Sequence, residues 1–94
     1  MINLFDDLPR QSDKEVLTEL LCRKGVRIER IVSTGQSTPV DKPYTQEYEE
    51  WVLLVSGSAE LRPGDCVLIP PHRPHRVTWT AKGEPTVWLA VHLS

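Results

Sequence analysis

Glycine and proline divide the chain after residue 25 into short pieces, and this punctuation constrains the fold more than any other feature. Pro63-Gly64-Asp65 reads as a turn, Pro70-Pro71-His72-Arg73-Pro74 cannot be regular strand, and Ser56-Gly57 and Ala81 to Pro85 close two further segments. Between them lie Val26 to Val32, Tyr44 to Val55, Cys66 to Ile69, Arg76 to Thr80 and Thr86 to Leu93. All are rich in β-branched and aromatic residues and are of strand length. The segment Ser33 to Pro43, with Gly35, Pro39 and Pro43, reads as a loop. Many short strands between Gly/Pro turns predict an all-β barrel or sandwich.

The first 25 residues follow a different rhythm. Ser12 and Glu15 have capping-box spacing, and Val16, Leu17, Leu20 and Leu21 fall on one face at helical period. Arg23 and Lys24 suit a helix C-terminus, and Gly25 suits a left-handed stop. This pattern predicts a short N-terminal α-helix packed on the sheet. The expected organisation is an N-terminal segment and helix over 1–25 and a barrel over 26–94, together one domain.

Composition narrows the function classes. Ninety-four residues suffice for one small core, and a net charge of −2 gives no general attraction to nucleic acid or anionic lipid. No apolar run approaches the ~20 residues of a membrane-spanning helix. The acidic N-terminus, with Asp6 and Asp7, does not read as a secretion signal. Cys22 and Cys66 form no C-x-x-C pair and are expected as buried or half-buried thiols. The expectation is a cytoplasmic protein with a small-molecule ligand and neither a nucleic-acid nor a membrane partner.

Strand alternation locates a candidate site. Tyr44, Gln46, Tyr48, Glu50, Val52 and Leu54 share one face of a regular strand, and Thr45, Glu47, Glu49, Trp51, Leu53 and Val55 the other. If Val52 and Leu54 line the interior, Glu50 and Gln46 point inward with them. An isolated carboxylate is costly to bury, so an inward Glu50 calls for a cation, a proton or a donor. His75, with Val77 and Trp79, is expected on a matching inner face. His92 shares a face with Trp88 and Ala90 and is read as structural, at the border of any cavity. Glu47, Glu49 and Asp41 read as a solvated edge, and Arg73 and Arg76 as contacts for an anionic group or for solvent.

The order and spacing of two segments resemble the two motifs of the cupin superfamily. Glu50 and Gly57 stand at the separation of the Glu and Gly that end the first motif. Gly64, Pro70 and His75 fit the second, and the resemblance covers Tyr44 to His75. It implies a cupin-type jelly-roll β-barrel, a homodimer, and a metal held inside the barrel by motif residues. By position these are Tyr44, Gln46, Glu50 and His75, where the family has three histidines and a glutamate. Neither first-motif histidine is present, His72 stands where the family usually has Gly, and Trp79 stands where it usually has Asn.

The implied site therefore has Gln46, Glu50 and His75 around a divalent ion such as Zn, Mn or Fe. Glu50 is the candidate catalytic base, and Tyr44, Tyr48, His72 and Arg73 are candidate ligand contacts. The alternative is a binding or interaction module without metal, holding a small polar molecule such as a sugar. Cupins place a hairpin between the two motifs, and the six residues from Ser58 to Pro63 are too few for one. Either the barrel is pared down there or a hairpin is missing from the sequence.

Overall fold

Two-residue and Pro-Gly turns set the strand pairing from which the site is built. The computed structural model describes residues 1–38 and 44–94. Pro39, Pro43 and Asp41, which belong to the expected loop and acidic edge, lie outside the described residues. Five antiparallel strands, β1 (Val16–Arg23), β2 (Val26–Ser33), β3 (Glu49–Ser56), β4 (Cys66–Ile69) and β5 (Thr86–Leu93), form one sheet in the order β1-β2-β5-β3-β4.

The all-β expectation holds, with one correction. The segment expected as a helix is β1, and no helix occurs among the described residues. Arg23 pairs with Val26 across a two-residue loop, Lys24-Gly25, in which Gly25 has φ +80°. The run Val16-Leu17-Thr18-Glu19-Leu20-Leu21 satisfies the helical period, but β2 offers a continuous antiparallel partner from Val32 to Val26. Leu20 is the extra residue of a bulge that shifts the register between Glu19 and Leu21. Pairing of this kind overrides a modest local propensity. The capping-box residues are used elsewhere. Glu15 accepts a hydrogen bond from Ser33 Oγ, and the Ser12 carbonyl accepts from Gln36 Nε2 at 2.8 Å.

Strands β2, β4 and β5 match the segments read from the sequence. The long strand expected from Tyr44 is regular only from Glu49, and Arg76 to Thr80 is irregular. These irregular stretches form a second layer facing the sheet. Tyr44 and His75 exchange backbone bonds of 2.6 and 2.8 Å, and His72 N donates to the Gln46 carbonyl at 2.7 Å. Thr38 N donates to the Val77 carbonyl at 2.8 Å, and Ala59 bridges Thr80.

The link joins the neighbouring antiparallel strands β3 and β4 and contains no strand pair of its own, only the bridge from Ala59 to Thr80. It ends in a Pro63-Gly64 turn that Asp65 closes, its backbone N donating to the Arg62 carbonyl at 2.9 Å and its Oδ2 accepting from Arg62 N at 2.8 Å. Pro at the second position and Gly64 at φ +94° give a type II turn.

The core lies between the layers. Leu54, Ala59 and Trp88 are buried, with Ile31, Val52, Leu61 and Val77 packed against them. Trp88 Nε1 donates to Ser33 Oγ at 3.1 Å, so the indole is buried with its polar edge satisfied. On the opposite face Arg30 holds the N-terminal segment, its Nη1 donating to the Leu4 and Asp6 carbonyls at 3.2 and 2.7 Å. Ile2 and Phe5 stay exposed. Both cysteines are free and exposed, not buried, because Cys66 sits on the edge strand β4 and Cys22 near the β1 turn.

Candidate functional site

The inner face of the sheet is apolar except at one end. Register places Ile31, Trp88 and Leu54 in one row and Ala90, Val52 and Val67 in the next. Arg27, His92, Glu50 and Ile69 form the last, with Glu29 beside Ala90. This polar row closes one end of a cavity of about 500 Å³ between the two layers. Val52, Leu61, Trp88 and Val77 supply its apolar wall, and Tyr44, Gln46, Tyr48, Glu50 and His75 supply polar groups. A volume of this size suits a small molecule.

Glu50 is only 7% exposed, as its alternation with Val52 and Leu54 requires. Gln46 Nε2 donates to Glu50 Oε1 at 3.0 Å, so the donor expected for an inward carboxylate is present. His75 lines the same cavity, its Nδ1 3.3 Å from the Arg73 carbonyl and its ring tilted against Tyr44 at a centroid distance of 5.7 Å. Tyr44 is half exposed at the cavity edge, whereas Tyr48 lies deeper with its ring edge-on to His92, 5.2 Å away.

Three expected positions fall outside. His72 and Arg73 are exposed in the Pro-rich turn and do not line the cavity, and Trp79 is 48% exposed. His72 has φ +63°, the left-handed conformation that glycine adopts at little cost. Arg76, by contrast, does line the cavity.

Sequence reading missed Glu29 and undervalued His92. Their side chains are buried together, with His92 Nε2 2.7 Å from Glu29 Oε1. His92 Nδ1 stands 4.0 Å from Glu50 Oε1 and has no hydrogen-bond partner. The signal was a charged residue on the inner face of each strand, Glu29 between Arg27 and Ile31, and His92 after Trp88 and Ala90. Their sequence separation of 63 residues hid the pairing.

The donor set does not fit the implied metal as arranged. Among the described residues no three of His, Cys, Asp and Glu are grouped to hold an ion. Gln46 presents its N–H, rather than its carbonyl, toward Glu50, and one imidazole at the mouth and another hydrogen-bonded to Glu29 do not make a tetrahedral or octahedral set.

No protein-family model matches the sequence, and no protein of curated function matches it. Solved structures do. A candidate mannose-6-phosphate isomerase from Ralstonia eutropha JMP134 is 46% identical, with a TM-score of 0.93 over 100% of this chain and 97% of that one. A cupin superfamily protein from Desulfitobacterium hafniense is 16% identical, with a TM-score of 0.71 over 92% of this chain and 83% of that one. An RmlC-like cupin from Desulfovibrio desulfuricans is 16% identical, with a TM-score of 0.70 over 98% and 94%. At such identities the last two report the fold alone.

Proposed function

We propose that this chain, which has the cupin fold, binds a small polyhydroxylated, sugar-like molecule in the barrel cavity, with Glu50 as the base that acts on it. The observation that carries this reading is the buried Glu50 carboxylate, oriented by Gln46 and facing a cavity of about 500 Å³. The likeness to a protein named for mannose 6-phosphate isomerisation supports a sugar, because moving a carbonyl along a sugar needs a base that takes and returns a proton.

The cavity has the chemistry for such a ligand. Hydroxyl groups pair with acceptors and donors such as Glu50, Gln46, Tyr48 and His75. The faces of Trp88 and the aliphatic wall take up the C–H surface. Calorimetric titration of the purified protein with mannose and with mannose 6-phosphate tests binding, and proton NMR of each sugar with the protein tests turnover. Saturable binding abolished by Glu50→Ala is the expected result; heats no greater than dilution for both sugars would remove the reading.

A binding module without chemistry is the second reading, favoured by one observation: Tyr44 and Gln46 occupy the positions where cupins carry metal-binding histidines. Binding of a sugar with no change in its NMR spectrum over time would select it.

Dimerisation is proposed on physical grounds as well. The outer sheet face carries Ile28, Trp51, Leu53, Leu89, Val91 and Leu93, all still partly open to solvent, and Leu68 exposed beside them. A contiguous apolar patch of this kind is rarely left uncovered.

A further inference from the structure

The Glu29–His92 pair is more elaborate than a packed interior needs. Both residues are about nine-tenths buried, and Glu29 is a deprotonated acceptor only if His92 Nε2 carries the hydrogen of their 2.7 Å bond. In that tautomer a neutral imidazole keeps its lone pair on Nδ1. The Nδ1 atom is sealed from solvent, has no partner, and points toward Glu50 Oε1 at 4.0 Å. Leaving a buried acceptor unpaired costs stability, so its retention beside the candidate base is itself informative.

We propose that Glu29, His92 and Glu50 form a proton relay, with Glu50 the member that touches the ligand and His92 the residue behind it. This rests on the reading of Glu50 as a base. The ligand C–H bond next to a carbonyl breaks, its electron pair stays on the ligand as an enediolate, and the proton forms an O–H bond on Glu50. A movement of roughly 1 Å brings Glu50 within hydrogen-bonding distance of His92. The proton then passes to Nδ1, which regenerates the Glu50 carboxylate. The imidazolium lies between two carboxylates, Glu29 on Nε2 and Glu50 on Nδ1, and hands a proton back to Glu50, which lines the open cavity and trades it with water there before a proton returns to the ligand. Tyr48, edge-on to the ring, and the strand neighbour Arg27 border the array. Glu29 is a positioning residue here, since it acts through the tautomer it imposes.

Two measurements test the relay. In the free protein, nitrogen-15 NMR of the imidazole is expected to show the proton on Nε2 and none on Nδ1. Glu29→Gln, whose amide can donate to Nε2, is expected to move it to Nδ1. A proton on Nδ1 in the free wild-type protein would overturn the proposal without any ligand being involved. In deuterated water, the hydrogen on C2 of mannose 6-phosphate is expected to exchange with solvent. Glu29→Gln and His92→Gln should each slow exchange about 100-fold, far more than they weaken binding, and Glu29→Asp should restore part of it. Binding without exchange in the wild type overturns the relay and leaves the binding reading standing, while absence of binding overturns both. Thermal melting of each variant separates loss of fold from loss of the relay. A folded His92→Gln protein that exchanges at the wild-type rate also rejects it.

Discussion

Glu50 on β3 and His92 on β5 are direct cross-strand partners, yet their polar atoms stop 4.0 Å apart while each is hydrogen-bonded to another residue, Gln46 and Glu29. The site is thus held in place from both sides but left open at its centre. Two buried carboxylates on either side of one imidazole do not make a stability device, because each charge lost its hydration to reach that position. Their shared neighbourhood makes sense as a place where a ligand and a proton are handled.

Glu50→Gln follows from this arrangement. It keeps the shape and removes one buried charge, so the melting temperature is expected to hold or rise by a few degrees. Sugar affinity is expected to fall about 10-fold or more, because a charged acceptor is replaced by a neutral one. Differential scanning fluorimetry and calorimetric titration on the same sample check both signs. A variant with unchanged affinity would show that Glu50 does not contact the ligand.

Gly57 should tolerate no side chain. It ends β3 at φ +101°, and a Cβ there would stand 2.5 Å from the Thr86 Cα and 2.6 Å from its Oγ1. Backbone cannot step aside as a flexible side chain does. Gly57→Ala is expected to cost about 2–4 kcal/mol from strain and overlap together. Chemical denaturation measures it, and a loss below about 1 kcal/mol would mean that β3 and β5 can separate locally.

The opposite exchange at His72 should be harmless. His72 adopts φ +63° in an exposed turn, outside the cavity, and uses only its backbone N–H to hold Gln46. Glycine relieves the strain but adds freedom to the unfolded chain, so His72→Gly is expected to be neutral or stabilising by up to about 1 kcal/mol. Ligand affinity should not change. A large loss of affinity in the titration would return His72 to the list of ligand contacts.

Removal of metal tests whether this chain works like cupins with the full histidine set. The expected outcome is that treatment with a strong chelator changes neither the melting temperature nor sugar binding, since among the described residues no three of His, Cys, Asp and Glu are grouped to hold an ion. Elemental analysis after reconstitution with Zn, Mn and Fe in turn gives the direct measure. One equivalent of any of them, lost together in Glu50→Ala and His75→Ala, would establish the metal site after all.

The outer sheet face gives a prediction about assembly. Light scattering is expected to report a dimer, and Leu53→Glu or Val91→Glu a monomer that still binds ligand, because the cavity lies on the other face of the same strands. A wild-type monomer at millimolar concentration would leave the patch for some other partner.

Sequence alone determined what local chemistry can dictate. The Pro63-Gly64 turn, the strands at 26–32 (which runs on to Ser33), 66–69 and 86–93, and the sharing of one face by Glu50, Val52 and Leu54 all follow from backbone restriction or from the two-residue period of a strand. The spacing of Glu50, Gly57, Gly64, Pro70 and His75 led to the right fold, whereas Gln46 reached Glu50 from the irregular stretch before β3.

Tertiary structure decided the rest. Val16 to Arg23 carries a pattern legible as helix or strand, and the partner β2 settled it in favour of strand by pairing with every residue except the bulged Leu20. The Glu29–His92 pair became visible only when β2 and β5 lay side by side, because no local rule links residues 63 positions apart. Strand alternation put a carboxylate on the same face as Val52 and Leu54; only the fold, which buries that face, brought an imidazole and a second carboxylate up behind it.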